Sequence, residues 1–228
     1  MSYGMTVSNA SGFVQIAEPF DNVSVFLSGT ATTQQPGAGP NSITLPPNTP
    51  EDIIVFAKPS IPTGVYKFAM SLIRFTEDYT LYFYDSYTNT GQSIDYILLT
   101  KTQALTVPSS GYGVNIYNSS GNLAFTSEYG TSRVYQSRVT TPPSSTFVSV
   151  YPNVSGELLN NTWAYMNAYG FYALEREYPS YTRGFSYKVK FDFTNDQLSS
   201  LVDSYGTINF GLPVITNYST RVEMLARF

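Results

Sequence analysis

The chain has 228 residues with neither cysteine nor histidine, which removes disulfides, thiolate chemistry and the usual imidazole base or metal ligand. Charged residues make up 12% and aromatic residues 16%, and the net charge of −4 comes without a basic cluster, so a nucleic-acid partner is not expected. The longest apolar run, Ile53-Ile54-Val55-Phe56-Ala57, is a strand's length and no more, so membrane insertion is not expected either.

The chain opens on Met1-Ser2-Tyr3-Gly4, without the basic and apolar regions of a secretion signal, and synthesis in a cytoplasm is expected. Met5 and Val7 alternate with Thr6 and Ser8, Asn9-Ala10-Ser11-Gly12 turns the chain, and Val14 and Ile16 continue on one face. That pattern is a β-hairpin with Asn opening the turn and Gly12 at the position that needs φ > 0. Residues 29–51 hold three glycines and five prolines, which predicts a loop before a strand over Asp52–Lys58. Further strands are predicted at Gly64–Phe75, Tyr79–Tyr87 and Ile94–Thr100.

After a short link around Gln103–Gly111 the opening phrase returns: Tyr3–Ile16 recurs as Tyr112–Phe125 at a constant offset (112 − 3 = 109). Five of the fourteen pairs are identical, among them Gly12 and Gly121, and four more keep an apolar residue. The register continues through Val25/Val134, Phe26/Tyr135 and Ser28/Ser137. An offset near half the chain length points to two copies of one domain. Strands follow at Thr146–Tyr151 and Phe185–Phe193. Thr194-Asn195-Asp196-Gln197, with Leu198, Leu201 and Val202 at helical spacing and Gly206 beyond, predicts one short helix near residues 195–205. The expected class is therefore all-β: two tandem β-sandwich-like domains, residues 1–105 and 106–228, related by internal duplication.

Catalytic constellations are sparse. The paired acids Glu51/Asp52 and Glu77/Asp78 are strand neighbours that point to opposite faces. Glu175 and Glu177 would share a face, but Arg176 and Arg183 beside them favour a solvated charged strand over a sugar-cleaving pair. Asp192–Asp196 lacks the glycine and the distant glutamate of a calcium loop. No enzyme activity, cofactor or metal is expected. The aromatic residues carry more information. Leu81 and Phe83 should face one way and Tyr82 and Tyr84 the other, so this strand is apolar on both faces. Trp163, Tyr165, Tyr169 and Tyr172 crowd one short stretch. Together with Tyr82 and Tyr84 they are either core or a contact surface, since tyrosine offers large area with few rotors.

The pattern Tyr-Gly-apolar-x-apolar-x-Asn-x-Ser-Gly-x-apolar-x-apolar of Tyr112–Phe125, followed by Thr126-Ser127, resembles the opening of small tail-associated proteins of tailed bacteriophages. The strand Asp52–Pro59 is similar to a later strand of the same proteins. Ala17-Glu18 and Thr126-Ser127 stand where those proteins more often carry Asp-Ser. The resemblance implies a structural virion component at a tail tip, baseplate or fibre attachment. Its partners would be other tail proteins and further copies of itself, in a trimer or another ring. The alternative is a glycan-binding adhesin, with a host surface glycan on the Trp163 aromatics. If those rings line an open groove the adhesin gains, and if they meet another subunit the structural reading gains.

Overall fold

In a computed structural model, the described residues are 6–8, 14–17, 23–34, 42–47, 49–75, 78–84, 91–105, 113–118, 120–127, 133–140, 148–166, 171–178, 181–208 and 221–228. In the first half the strands are β1 (Thr6–Ser8), β2 (Val14–Ala17), β3 (Val23–Thr32), β4 (Ile43–Thr44), β5 (Ile54–Pro59), β6 (Val65–Phe75), β7 (Asp78–Tyr84) and β8 (Ser93–Lys101). In the second they are β9 (Asn115–Tyr117), β10 (Leu123–Thr126), β11 (Arg133–Thr140), β12 (Val148–Val150), β13 (Trp163–Met166), β14 (Phe171–Tyr178), β15 (Tyr181–Asp192), β16 (Gln197–Ile208) and β17 (Arg221–Arg227). A 3-10 turn at Thr102–Ala104 and a single helical turn, α1 (Glu157–Asn160), complete the described elements. The all-β class is as expected.

Two large antiparallel sheets face each other. One runs β11-β17-β13-β5-β8-β3, the other β12-β16-β15-β6-β7-β4, with β14 beside β15. The core between them follows strand alternation: Val55 and Ala57, Ile94 and Leu98, Ala164 and Met166 meet Phe68 and Met70, Leu81 and Phe83, Val189 and Phe191. Phe68 is wholly buried, stacked on Phe191 (centroids 6.1 Å, planes 2° apart) and edge-on to Phe83 at 6.0 Å. The described side chains of Tyr82 and Tyr84 lie on the other face of β7 from Leu81 and Phe83, as alternation requires.

Both sheets run through the expected boundary at residue 105, which corrects the expectation of two separate sandwiches. Ala57 pairs with Ala164 in one sheet and Phe68 with Val189 in the other. A short linker between similar halves does not reveal this, because alternation gives the face of a strand and not its neighbour.

Paired positions of the two halves nevertheless coincide at several places. In β1–β2 the pairs are Thr6↔Ala17, Val7↔Ile16 and Ser8↔Val14, and in β9–β10 they are Asn115↔Thr126, Ile116↔Phe125 and Tyr117↔Leu123, every position displaced by 109 (115 − 6 = 109). A bulge interrupts β3 between Val25 and Leu27 and another interrupts β11 between Val134 and Gln136, again 109 apart (134 − 25 = 109). Val25 is opposite Leu99, which is opposite Ile54, and Val134 is opposite Ala226, which is opposite Trp163. The same offset carries Phe56 onto Tyr165 (165 − 56 = 109), and these two form the central pair of the β5–β13 seam. A local two-fold axis therefore passes between them.

The second hairpin turns as its sequence predicts. The Asn118 side chain accepts from Ser120 N–H at 3.0 Å and Asn122 N–H at 2.9 Å, and Gly121 has φ of +80°. Gly12 lies outside the described residues. The expected helix near 195–205 is not formed: Gln197–Ile208 is strand β16. Leu198, Leu201 and Val202 suit a helix by spacing, but the long partner β15 and a tight turn decide for a hairpin. In that turn the Asp192 carboxylate accepts from Asn195 N–H at 2.9 Å, and Asp196 takes φ of +54°.

Candidate interaction surface

The face of the six-stranded sheet that points away from the core is also apolar. Alternation places Ile54 and Phe56 of β5, Ile97 and Leu99 of β8, Trp163 and Tyr165 of β13 and Met224 and Ala226 of β17 on this outer side, with Val23 and Val25 towards the β3 edge. Their neighbours along each strand, among them Val55, Leu98, Ala164 and Leu225, fill the core. A strand apolar on both faces is covered on both, or is offered to something that covers it.

Phe56, in the middle pair of the β5–β13 seam, belongs to this cluster and is only 1% exposed. Its ring is 5.9 Å from Tyr165 and 5.7 Å, edge-on, from Phe228. Phe228 in turn meets Trp163 edge-on at 5.5 Å while itself remaining 43% exposed. Lys58 extends over the Trp163 ring with Nζ 5.1 Å from its centroid, a cation–π contact that leaves the ammonium near the apolar rim. Trp163 and Tyr165 are half-buried. At the margin, Lys101 and Asp52 approach to 3.6 Å, but both are well exposed and the pair contributes little.

Trp163 and Tyr165 thus lie on one face of the sheet, linked through Phe56 and Phe228. Tyr82 and Tyr84 do not join them. They belong to the other sheet, stand 5.8 Å apart with planes inclined at 45°, and are buried (9% and 0% exposed). Tyr169 lies outside the described residues, and of Tyr172 only the backbone within β14 is described. The pairing of β14 with β15 sets Glu175 directly opposite Arg183. Sequence reasoning missed Ile54, Phe56, Ile97, Leu99, Met224, Ala226 and Phe228 as members of the surface. The signal was present in the unbroken runs Ile54-Val55-Phe56-Ala57 and Ile97-Leu98-Leu99, which leave no polar face.

Among the described residues one carboxylate is strongly perturbed, and its role is in the fold. Asp192, 2% exposed, accepts from Lys190 Nζ at 2.8 Å and from Asn195 through both Nδ2 (3.0 Å) and the backbone N–H. The Lys190 hydrogen bond first, and then Asn195, lower its pKa to about 2. Asp196 of the same turn accepts from the Gly156 N–H and so ties the approach to α1 to this hairpin. Because the folded pKa lies below the ordinary value of 3.8, the contribution of Asp192 to stability is present above pH 4 and is lost as pH falls towards 2. Denaturant titrations at pH 6 and pH 2 should show Asp192→Asn destabilised by about 1 kcal/mol at pH 6, with the difference largely gone at pH 2. A difference that is constant with pH would assign the loss to packing.

Neither a family model, nor a curated protein, nor a solved structure matches this chain.

Proposed function

We propose that the chain is a duplicated β unit that serves as a structural subunit, working by contact with neighbouring proteins and without turnover. The observation that carries this reading is the outer face of the six-stranded sheet, where Phe56, Ile97, Leu99, Trp163, Tyr165 and Met224 form a second apolar cluster outside the core. Phe56, Ile97 and Leu99 are already buried within the chain, so the area left for a neighbour lies at the half-buried Trp163, Tyr165 and Met224 and at Phe228, 43% exposed. Such apolar area contributes about 25 cal/mol per Å² when it is removed from water. The resemblance of Tyr112–Phe125 and Asp52–Pro59 to tail-associated phage proteins gives the reading its setting: a tail tip, baseplate or fibre attachment, with other tail proteins as partners. The adhesin alternative is weaker. A sugar platform needs an open aromatic face, whereas Trp163 already carries Phe228 at its edge and Lys58 over its ring.

Trp163 is the chain's one tryptophan and so reports on its own surroundings. Sedimentation of the purified chain at micromolar concentration should give a particle of at least two copies. Trp163 emission should shift to the blue as that particle forms. A monomer at every concentration, with unchanged emission, would overturn the structural reading.

A further inference from the structure

We propose that copies of this chain add head to tail through the edges of the six-stranded sheet, β3 of one copy pairing with β11 of the next. This deepens the structural reading above and rests on it. Among the described residues β3 pairs only with β8, and β11 only with β17. These edges are long, ten and eight residues. Edge strands are normally protected by charge, proline or bulges; Val23–Thr32 contains no charge and no proline, and its bulge at Val25/Leu27 leaves Ser28–Thr32 in regular register.

The backbone of the β3 edge is aimed outwards. Thr33 N–H donates to the Gln92 carbonyl at 2.8 Å, so it faces β8. The two-residue period sends Ala31 and Gly29 the same way, and turns the N–H groups of Ser28, Thr30 and Thr32 to the open side; the side chains of these three, on a face of the sheet, are exposed. Carried strand by strand through the paired residues to β11, the alternation turns the Ser137 N–H outwards as well. Ser137 is the counterpart of Ser28 (137 − 28 = 109).

Direction and charge select a second copy as the occupant. Six strands alternate in direction, so β3 and β11 run opposite ways, and a copy set beside the first continues the antiparallel ladder without a break. The sheet already accepts such a junction internally, where β5 takes β13 of the other half. Two β11 edges would bring Arg133 and Arg138 of both copies into one ladder, whereas β3 meets those arginines with no charge of its own.

The test uses Ser28→Pro and Ser137→Pro in the full chain. Each removes an outward N–H and no ladder bond within the subunit. With circular dichroism verifying the fold, each variant alone should sediment as a monomer where the wild type forms larger series. An equimolar mixture should give dimers, because each variant retains the edge the other lacks. Ser28→Lys and Ser137→Lys keep every ladder bond; should a proline variant misfold, they decide by the same pattern. Assembly as in the wild type for both variants would overturn the edge junction and leave the structural reading standing. Self-association of either variant alone, with nothing gained on mixing, would replace head-to-tail by like-to-like pairing and also overturn it. A wild type that stays monomeric would remove both.

Discussion

Phe68→Ala should lower stability by about 3–5 kcal/mol, among the largest losses expected of single truncations at the described residues. The ring has no exposed surface, stacks on Phe191 and meets the edge of Phe83, so its removal leaves a cavity whose walls are other rings with little freedom to collapse. Position 68 also pairs with Val189 across the seam, so the damage reaches both halves. At this size the loss corresponds to a drop in melting temperature of roughly 10 °C. Calorimetry should show one transition displaced downwards. Two separated transitions, with the upper one near the wild-type temperature, would mean that the halves unfold independently. A loss below about 1 kcal/mol would mean that the ring is not packed as described.

Gly29→Ala should cost about 1–3 kcal/mol for a different reason, overpacking. A Cβ at position 29 would stand 2.6 Å from Tyr96 Oη and 2.9 Å from Cζ. Tyr96 lies directly across the ladder with its ring over the glycine, 6% exposed and 6.1 Å from Phe83, so it has little room to withdraw. Burial raises the Tyr96 pKa above its ordinary value of 10.0. Displacement of the ring towards water should bring that titration back down, which ultraviolet absorbance can follow. A double-mutant cycle with Tyr96→Leu isolates the clash: Gly29→Ala should be nearly neutral in that background. An equal cost in both backgrounds would place the strain in the backbone.

These two sites show what the sequence made legible and what it hid. The alternation of Leu81 and Phe83 against Tyr82 and Tyr84 gave the faces of β7, and Asn118 with Gly121 gave the turn, because period and turn chemistry are local. Gly29, by contrast, counted as the start of a loop. It is a strand residue under a ring 67 positions away (96 − 29 = 67), and Leu45, from the same supposed loop, is buried in the core. The false helix at 195–205 has the same origin: Leu198 and Leu201 fit two periods, and the partner that chose between them, β15, was visible only in three dimensions. Likewise the repeat disclosed equivalent positions but not that Phe56 and Tyr165 would pair across one seam, so most of the candidate surface was missed.

The seam between the halves also sets a problem of timing. β5 and β6 are finished early in synthesis, but their partners β13 and β15 lie more than a hundred residues further along the chain (164 − 57 = 107; 189 − 68 = 121). Until those segments leave the ribosome, the first half displays two unsatisfied ladders, one of them lined by Ile54, Val55 and Phe56. Pairings across such separations form slowly, and waiting edges are where nascent chains capture one another. A neighbouring nascent chain sharpens the hazard, since its own β5 and β6 stand open over the same interval.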